Sequence, residues 1–222
     1  MRGRILMASL FACLIVFLIA SPPTGSVRAA IPDPTVDANP ATAKGRQTAV
    51  LAGGCFWCTE AVFEQVLGVE KVTSGYAGGE RKTAHYDLVS AGKTDHAEAI
   101  EIVFDAARIS YGQILKVFFS VAHDPTQLDR QGPDWGRQYR SAIFWRDAEQ
   151  KKIAEAYIEQ LTAAKTFSKP IVTELNELKE FYPAEGYHQD FVKRNASHPY
   201  VVVNALPKVK KLSKEFPTLV KK

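Results

Sequence analysis

Gly53-Gly54-Cys55-Phe56-Trp57-Cys58 separates two kinds of sequence. Residues 48–52 (TAVLA) are small or β-favouring and predict a strand. Residues 59–67 (TEAVFEQVL) predict a helix, with Val62, Phe63, Val66 and Leu67 as its buried stripe and Gly68 as its stop. Cys55 therefore belongs where the strand ends and the helix begins. A thiol there faces unpaired backbone N–H groups and the positive end of the helix dipole. Both favour the thiolate, which is the reactive form of cysteine. Two cysteines bracketing two aromatics at such a junction point to a redox nucleophile.

Upstream of this stretch, residues 1–4 are short and basic, and residues 5–20 form an almost unbroken apolar run. Val27-Arg28-Ala29 then supplies a plausible cleavage signature. This is the layout of a secretory signal peptide over 1–30, and the run is shorter than the roughly 20 residues of a usual membrane span. Export to a periplasmic or extracellular space is expected, with an uncleaved N-terminal anchor facing the same side as the alternative. Residues 31–45 carry Pro32, Pro34 and Pro40 without periodicity and read as a flexible linker. The domain is expected over 46–207, followed by a basic tail over 208–222.

Without residues 1–30, which hold Arg2, Arg4, Arg28 and no acid, the net charge falls from +4 to +1. Lys208, Lys210, Lys211, Lys214, Lys221 and Lys222, less Glu215, account for more than that excess. The body is mildly acidic, which argues against a nucleic-acid binder. The lysines read as a solvated helix face or frayed end. Cys13 lies in the leader, so only Cys55 and Cys58 remain. A single close pair suggests chemistry rather than a disulfide scaffold.

Downstream, 69–76 predicts a strand ending at the Gly78-Gly79 turn, and 80–95 is polar and loop-like, holding His85 and Tyr86. Residues 98–104 alternate as a strand, with Glu98, Ile100, Ile102 and Phe104 on one face. A carboxyl group opening an apolar face needs a task there. Ser110 with Gln113 forms a capping box ahead of a helix lined by Ile114, Leu115, Phe118 and Phe119. A polar loop over 123–136 precedes a strand over 139–145. Asp147 with Gln150 caps a helix running to about Ala164, with Ile153, Tyr157, Ile158 and Leu161 inward. A short strand is expected over 170–174, then irregular chain through Tyr182, Tyr187, His188 and Tyr200. Strands alternate with helices only loosely, which predicts a mixed sheet with packed helices and long irregular C-terminal loops.

Gly54-Cys55-Phe56-Trp57, Gly75-Tyr76-Ala77-Gly78-Gly79, His96-Ala97-Glu98, His123-Asp124-Pro125-Thr126 and Gln138-Tyr139-Arg140-Ser141 occur in that order. The chain resembles the A-type peptide methionine sulfoxide reductases over about 48–195. The resemblance implies an α+β domain built as a two-layer sandwich, and reduction of the S epimer of methionine sulfoxide, free or in proteins. It implies Cys55 as nucleophile, Glu98 as proton donor, Tyr86 and Tyr139 as donors to the sulfoxide oxygen, Phe56 and Trp57 as walls for the substrate methyl, and Asp134 beside the substrate backbone. Many members carry a resolving cysteine near the C-terminus, and this chain has none after Cys58. Cys58 is then the internal candidate, closing a Cys55–Cys58 disulfide that a thioredoxin-like or other dithiol reductant reopens. Failing that, an outside thiol reduces the sulfenic acid directly.

The chemistry fits these residues. A thiolate attacks the pyramidal sulfur, charge builds on oxygen, and a carboxyl kept neutral by burial can supply the proton. No bound cofactor is expected, and the chain is expected to act as a monomer. Two other readings compete. A thioredoxin-like dithiol–disulfide oxidoreductase would also use Cys-x-x-Cys after a strand, and Lys169-Pro170 imitates that fold's proline, but Glu98 and the later motifs stay unexplained. A metal module using Cys55, Cys58, His96 and His123 lacks zinc-site spacing and leaves the aromatics idle. Asn195-Ala196-Ser197 fits a glycosylation acceptor, a triplet common by chance.

Overall fold

A computed structural model describes residues 31–38 and 45–221. The expected signal peptide lies outside the described residues. Eight strands and six helices follow one another along the described chain. They are β1 (Arg46–Gly53), α1 (Phe56–Glu64), β2 (Val69–Ala77), α2 (Tyr86–Ser90), β3 (Ala97–Asp105), α3 (Tyr111–Val117) and the tiny β4 (Arg130–Gln131) and β5 (Asp134–Trp135). Then come β6 (Ser141–Trp145), α4 (Ala148–Ala163), β7 (Glu174–Glu177), β8 (Phe181–Pro183), α5 (Phe191–Arg194) and α6 (Leu206–Glu215). Six strands make one sheet in the order β7-β6-β1-β3-β2-β8. All its pairs are antiparallel except β6 with β7, so the sheet is mixed as expected.

Strand alternation decides which side chains meet the helices. From β1, Ala49 and Leu51 join the main core, as do Ile100, Ile102 and Phe104 from β3. The helices complete it with Val62 and Phe63 of α1, Ile114 and Leu115 of α3, and Ile153, Tyr157 and Leu161 of α4. Val50, Ala52, Ala97, Ala99 and Ala142 face the other way, under a thinner layer with Phe144, Leu178 and Phe181. Glu98 shares the helix-facing parity of Ile100 and is 2% exposed, so a carboxyl is built into the apolar face. The Ser110–Gln113 capping box forms in both directions, and Asp147 caps α4 through the Gln150 N–H.

Several boundaries differ from the sequence reading. α1 begins immediately after Cys55 rather than at Thr59, because Phe56 and Cys58 are buried against the core and fold into the first turn. The polar segment 80–95 includes α2, which carries Tyr86. Tyr139 closes a 3₁₀ turn instead of opening a strand. The late strand is Glu174–Glu177, displaced from 170–174, because its polar sequence is held by parallel pairing with β6 rather than by an apolar face.

Both flanking segments pack on the domain. Residues 31–38, read as linker, lie on α3 and α4: Tyr157 donates to the Pro32 carbonyl at 2.8 Å, Lys116 bonds Asp33 at 2.6 Å, and Asp37 accepts from Gly112 N–H at 2.8 Å and from Ser110. The segment read as a basic tail holds α6, whose Leu212 is fully buried. Beyond it, Leu67 N–H donates to Leu219 and Lys221 N–H to Gln65, with Val66 and Val220 bridged antiparallel. Lysine-rich composition described one helix face and hid the apolar one.

Candidate active site

Gly54 makes the sharp junction between β1 and α1. Its φ is +86°, and a Cβ there would stand 2.4 Å from Gln131 Cβ. Both facts favour glycine. Cys55 is the N-cap of α1, buried at 8% exposure, and Cys58 lies one turn on at 2%. The two thiols are free and hydrogen-bonded to one another.

The N–H of Phe56 donates to Glu98 Oε2 at 3.0 Å. The first amide of the helix is thus spent on the carboxyl group of β3. Burial pushes Glu98 up to about 8, with that N–H pulling the other way and Asp134 and Cys58 adding to the rise. Glu98 is consequently largely protonated at neutral pH.

The helix start does not by itself hold Cys55 as a thiolate. Burial pushes the Cys55 thiol well up, the bond with Cys58 and the charge of Glu98 add to this, and Tyr200 opposes it. Cys58 moves the other way, lowered first by its bond with Cys55 and then, against burial, by Lys208 and Tyr200. Of the two thiols, Cys58 is the one its surroundings make more acidic and Cys55 the one burial holds up.

Tyr86, Tyr139 and Asp134 come from three separate elements to the same place. The Tyr139 phenol is pushed up by burial and by Glu98, Asp134, Cys55 and Tyr86, and Tyr86 likewise by burial, Glu98 and Cys55. Both stay protonated and able to donate. Their supports are specific. Gln138 donates to the Ser90 carbonyl at 3.1 Å, tying the Tyr139 turn to α2. Buried Arg140 reaches Glu174 at 3.0 Å and the Asp95 carbonyl at 3.0 Å. Glu185 accepts from Tyr86 N–H at 3.0 Å and from the Tyr76 hydroxyl at 2.8 Å, and Tyr76 stands opposite Glu98 across β2 and β3.

Phe56 and Trp57 are walled by the late chain. The Trp57 ring stacks on that of Phe191 at 3.8 Å and 8°, and its indole N–H donates to His188 Nδ1 at 3.1 Å. His188 in turn lies 5.0 Å from the Phe56 ring and 4.4 Å from that of Tyr86. Gln189 bonds both backbone groups of Ser74, so Gln189 ties the late loop to β2 beside His188.

Sequence reasoning gave no role to Tyr200, which sits between the key groups. Its hydroxyl donates to Asp134 Oδ2 at 2.6 Å and stands close enough to both thiols to lower their titration. It precedes a π-helical turn over Val201–Ala205, and no local pattern marks such a residue. His96 and His123 are turned to backbone and hydroxyl partners, Glu80 O at 3.0 Å for His96, Phe118 O at 3.0 Å and Ser141 Oγ at 2.7 Å for His123. Among the described residues no three His, Cys, Asp or Glu side chains gather as metal ligands.

The peptide methionine sulfoxide reductase family model matches residues 47–219. The peptide methionine sulfoxide reductase MsrA 2 of Synechocystis sp. is 59% identical over 188 residues, 84% of this chain and 88% of its own. MsrA 2 of Mesorhizobium japonicum is 54% identical over 177 residues, 80% of this chain and 91% of its own. Reduced Mxr1 from Saccharomyces cerevisiae superposes with a TM-score of 0.62 at 30% identity, covering 76% of this chain and 94% of that one. A methionine sulfoxide reductase A of Corynebacterium diphtheriae gives 0.61 at 33% identity, covering 71% and 78%. With a thiol and a protonated carboxyl group joined at one helix start, this chain belongs to the peptide methionine sulfoxide reductase family, the thiol-dependent reductases of methionine sulfoxide.

Proposed function

We propose that Cys55 reduces the S epimer of methionine sulfoxide and that Cys58 resolves the product. The observation that carries this reading is the Glu98 carboxyl group hung on the Phe56 N–H, beside the nucleophile. Cys55 passes its proton to Cys58 and attacks the substrate sulfur. Glu98 protonates the sulfoxide oxygen as charge grows there, with Tyr86 and Tyr139 donating to it. The attack forms a bond between the Cys55 and substrate sulfurs; the protonated oxygen then passes to the Cys55 sulfur as the substrate S–O bond and that S–S bond break, so methionine leaves and Cys55 is left as a sulfenic acid. Phe56 and Trp57 form the apolar wall for the methyl, where sulfur–ring contacts add up to about 1.5 kcal/mol. Asp134, held by Tyr200, marks the side for the substrate backbone.

Cys58 then attacks Cys55. The sulfenic S–O bond breaks, water leaves, and a Cys55–Cys58 disulfide forms. A thioredoxin-like or other external dithiol reopens it, and no bound cofactor takes part. The apolar leader over 5–20 supports export, with this chemistry carried out on oxidised proteins outside the cytoplasm by a monomer.

The test is turnover of each epimer by purified protein with a dithiol reductant. Methionine from the S epimer alone is expected, and Cys55→Ser abolishes it. Turnover of the R epimer, or none of the S epimer, would refute the reading.

A further inference from the structure

A small cavity of about 60 Å³ lies against both thiols, lined by Cys55, Cys58, Asp134, Tyr200, Asn204 and Lys208 among others. By the share of liquid volume a water takes, it has room for about two molecules. It is too small for a methionine side chain, and it borders the sulfur from which the proposed resolving step expels water. Lys208 comes from α6, in the segment whose composition reads as a solvated tail. Its Nζ is half-buried and donates to the Ala122 carbonyl at 2.7 Å, where the π-helical turn after α3 ends. That bond pins the ammonium at the cavity wall. Its charge acts on Cys58 of α1, on Asp134 of β5 and on His123 in the loop after the π-helical turn.

We propose that Lys208 is a positioning residue for the resolving half of the cycle, its pinned ammonium holding negative charge on Cys58 at the moment Cys58 must attack Cys55. The inference rests on the Cys55–Cys58 disulfide proposed above. After the first half-reaction Cys58 holds the proton taken from Cys55, and a thiol is a poor nucleophile. With Lys208 beside it the proton is shed to the departing oxygen. The Cys58 electron pair makes the S–S bond, the Cys55 S–O bond breaks, and hydroxide plus that proton leaves as water into the cavity. Asp134 opposes this charge on Cys58, and Tyr200 supports it.

The test is single-turnover closure of the disulfide in the full chain, started with one equivalent of methionine S-sulfoxide and no reductant. Loss of the dimedone-reactive sulfenic acid and of free thiol is followed across pH. The methionine burst counts competent sites, and thermal unfolding checks each variant. Lys208→Met is expected to move the midpoint of the closure profile up by about one pH unit, about tenfold slower below the midpoint. Lys208→Arg is expected to restore it. An unmoved midpoint in Lys208→Met, or Lys208→Arg failing alongside it, overturns the inference. Wild-type protein that stops at the sulfenic acid overturns the disulfide itself, which is a different result from a disulfide that closes regardless of residue 208.

Discussion

Glu98 Oε2 and the Phe56 backbone nitrogen stand 3.0 Å apart, so the buried carboxyl group is registered to Cys55 through one residue of main chain. The group is held protonated by burial, with its titration near 8. Raising the pH through that value removes the acid. Methionine formation in a single turnover is therefore expected to fall about tenfold per unit above pH 8 when the sole proton source is lost. Glu98→Gln is expected to lose roughly 10²–10⁴ in that rate and to lose the alkaline limb. A rapid-quench pH profile of both proteins checks it.

Cys58→Ser separates the two halves of the cycle. One equivalent of methionine is expected per protein, formed more slowly than in wild type because the acceptor of the Cys55 proton is gone, followed by arrest with a sulfenic acid on Cys55. Multiple turnover with a thioredoxin-like reductant is expected to fall at least tenfold. Undiminished recycling would remove Cys58 from the scheme.

Tyr200→Phe deletes the donor to Asp134 Oδ2 and leaves the phenyl ring edge-on to Trp57. A lost hydrogen bond to a charged group costs about 1.5–3 kcal/mol, discounted here to about 1–2 because Asp134 is half exposed to solvent. Urea unfolding measures it. The same variant is expected to raise the KM for peptide substrate more than for the free amino acid, since Asp134 loses its tether. Equal effects on both would argue against the placement of Asp134 beside the substrate backbone.

His123 is held neutral in the folded state, down to about 3, because burial outweighs its bond to the Phe118 carbonyl. The unfolded chain takes up this proton near 6.5. Neutral His123 thus costs nothing above pH 6.5, and between 6.5 and about 3 stability falls by roughly 1.4 kcal/mol per pH unit. His123→Gln is expected to show a shallower acid slope than wild type in pH-dependent denaturation. Carboxylates held down by partners, such as Glu174, contribute to both proteins alike.

Legibility in the sequence followed the physics of each residue. Cys55 announces itself because two glycines and a change of period are local signals, and Glu98 because one charge interrupts an apolar alternation. Tyr200 and Lys208 carry no such mark. Their positions depend on a π-helical turn and on packing between chain ends, while the lysines around them describe only solvent. The same limit misplaced β7, a polar strand held by backbone pairing. It also missed the burial of Cys55, which raises that thiol, whereas the dipole of α1 could be read.

Trp57 and His188, bonded across 131 residues of chain, set an order for the molecule's own synthesis. Cys55 and Cys58 are made early, and the rings that pack on Trp57 arrive only with His188 and Phe191. A nascent or truncated chain exposes two adjacent thiols to whatever oxidant surrounds it, and completion of the C-terminal segment is what turns a vulnerable pair into a guarded one.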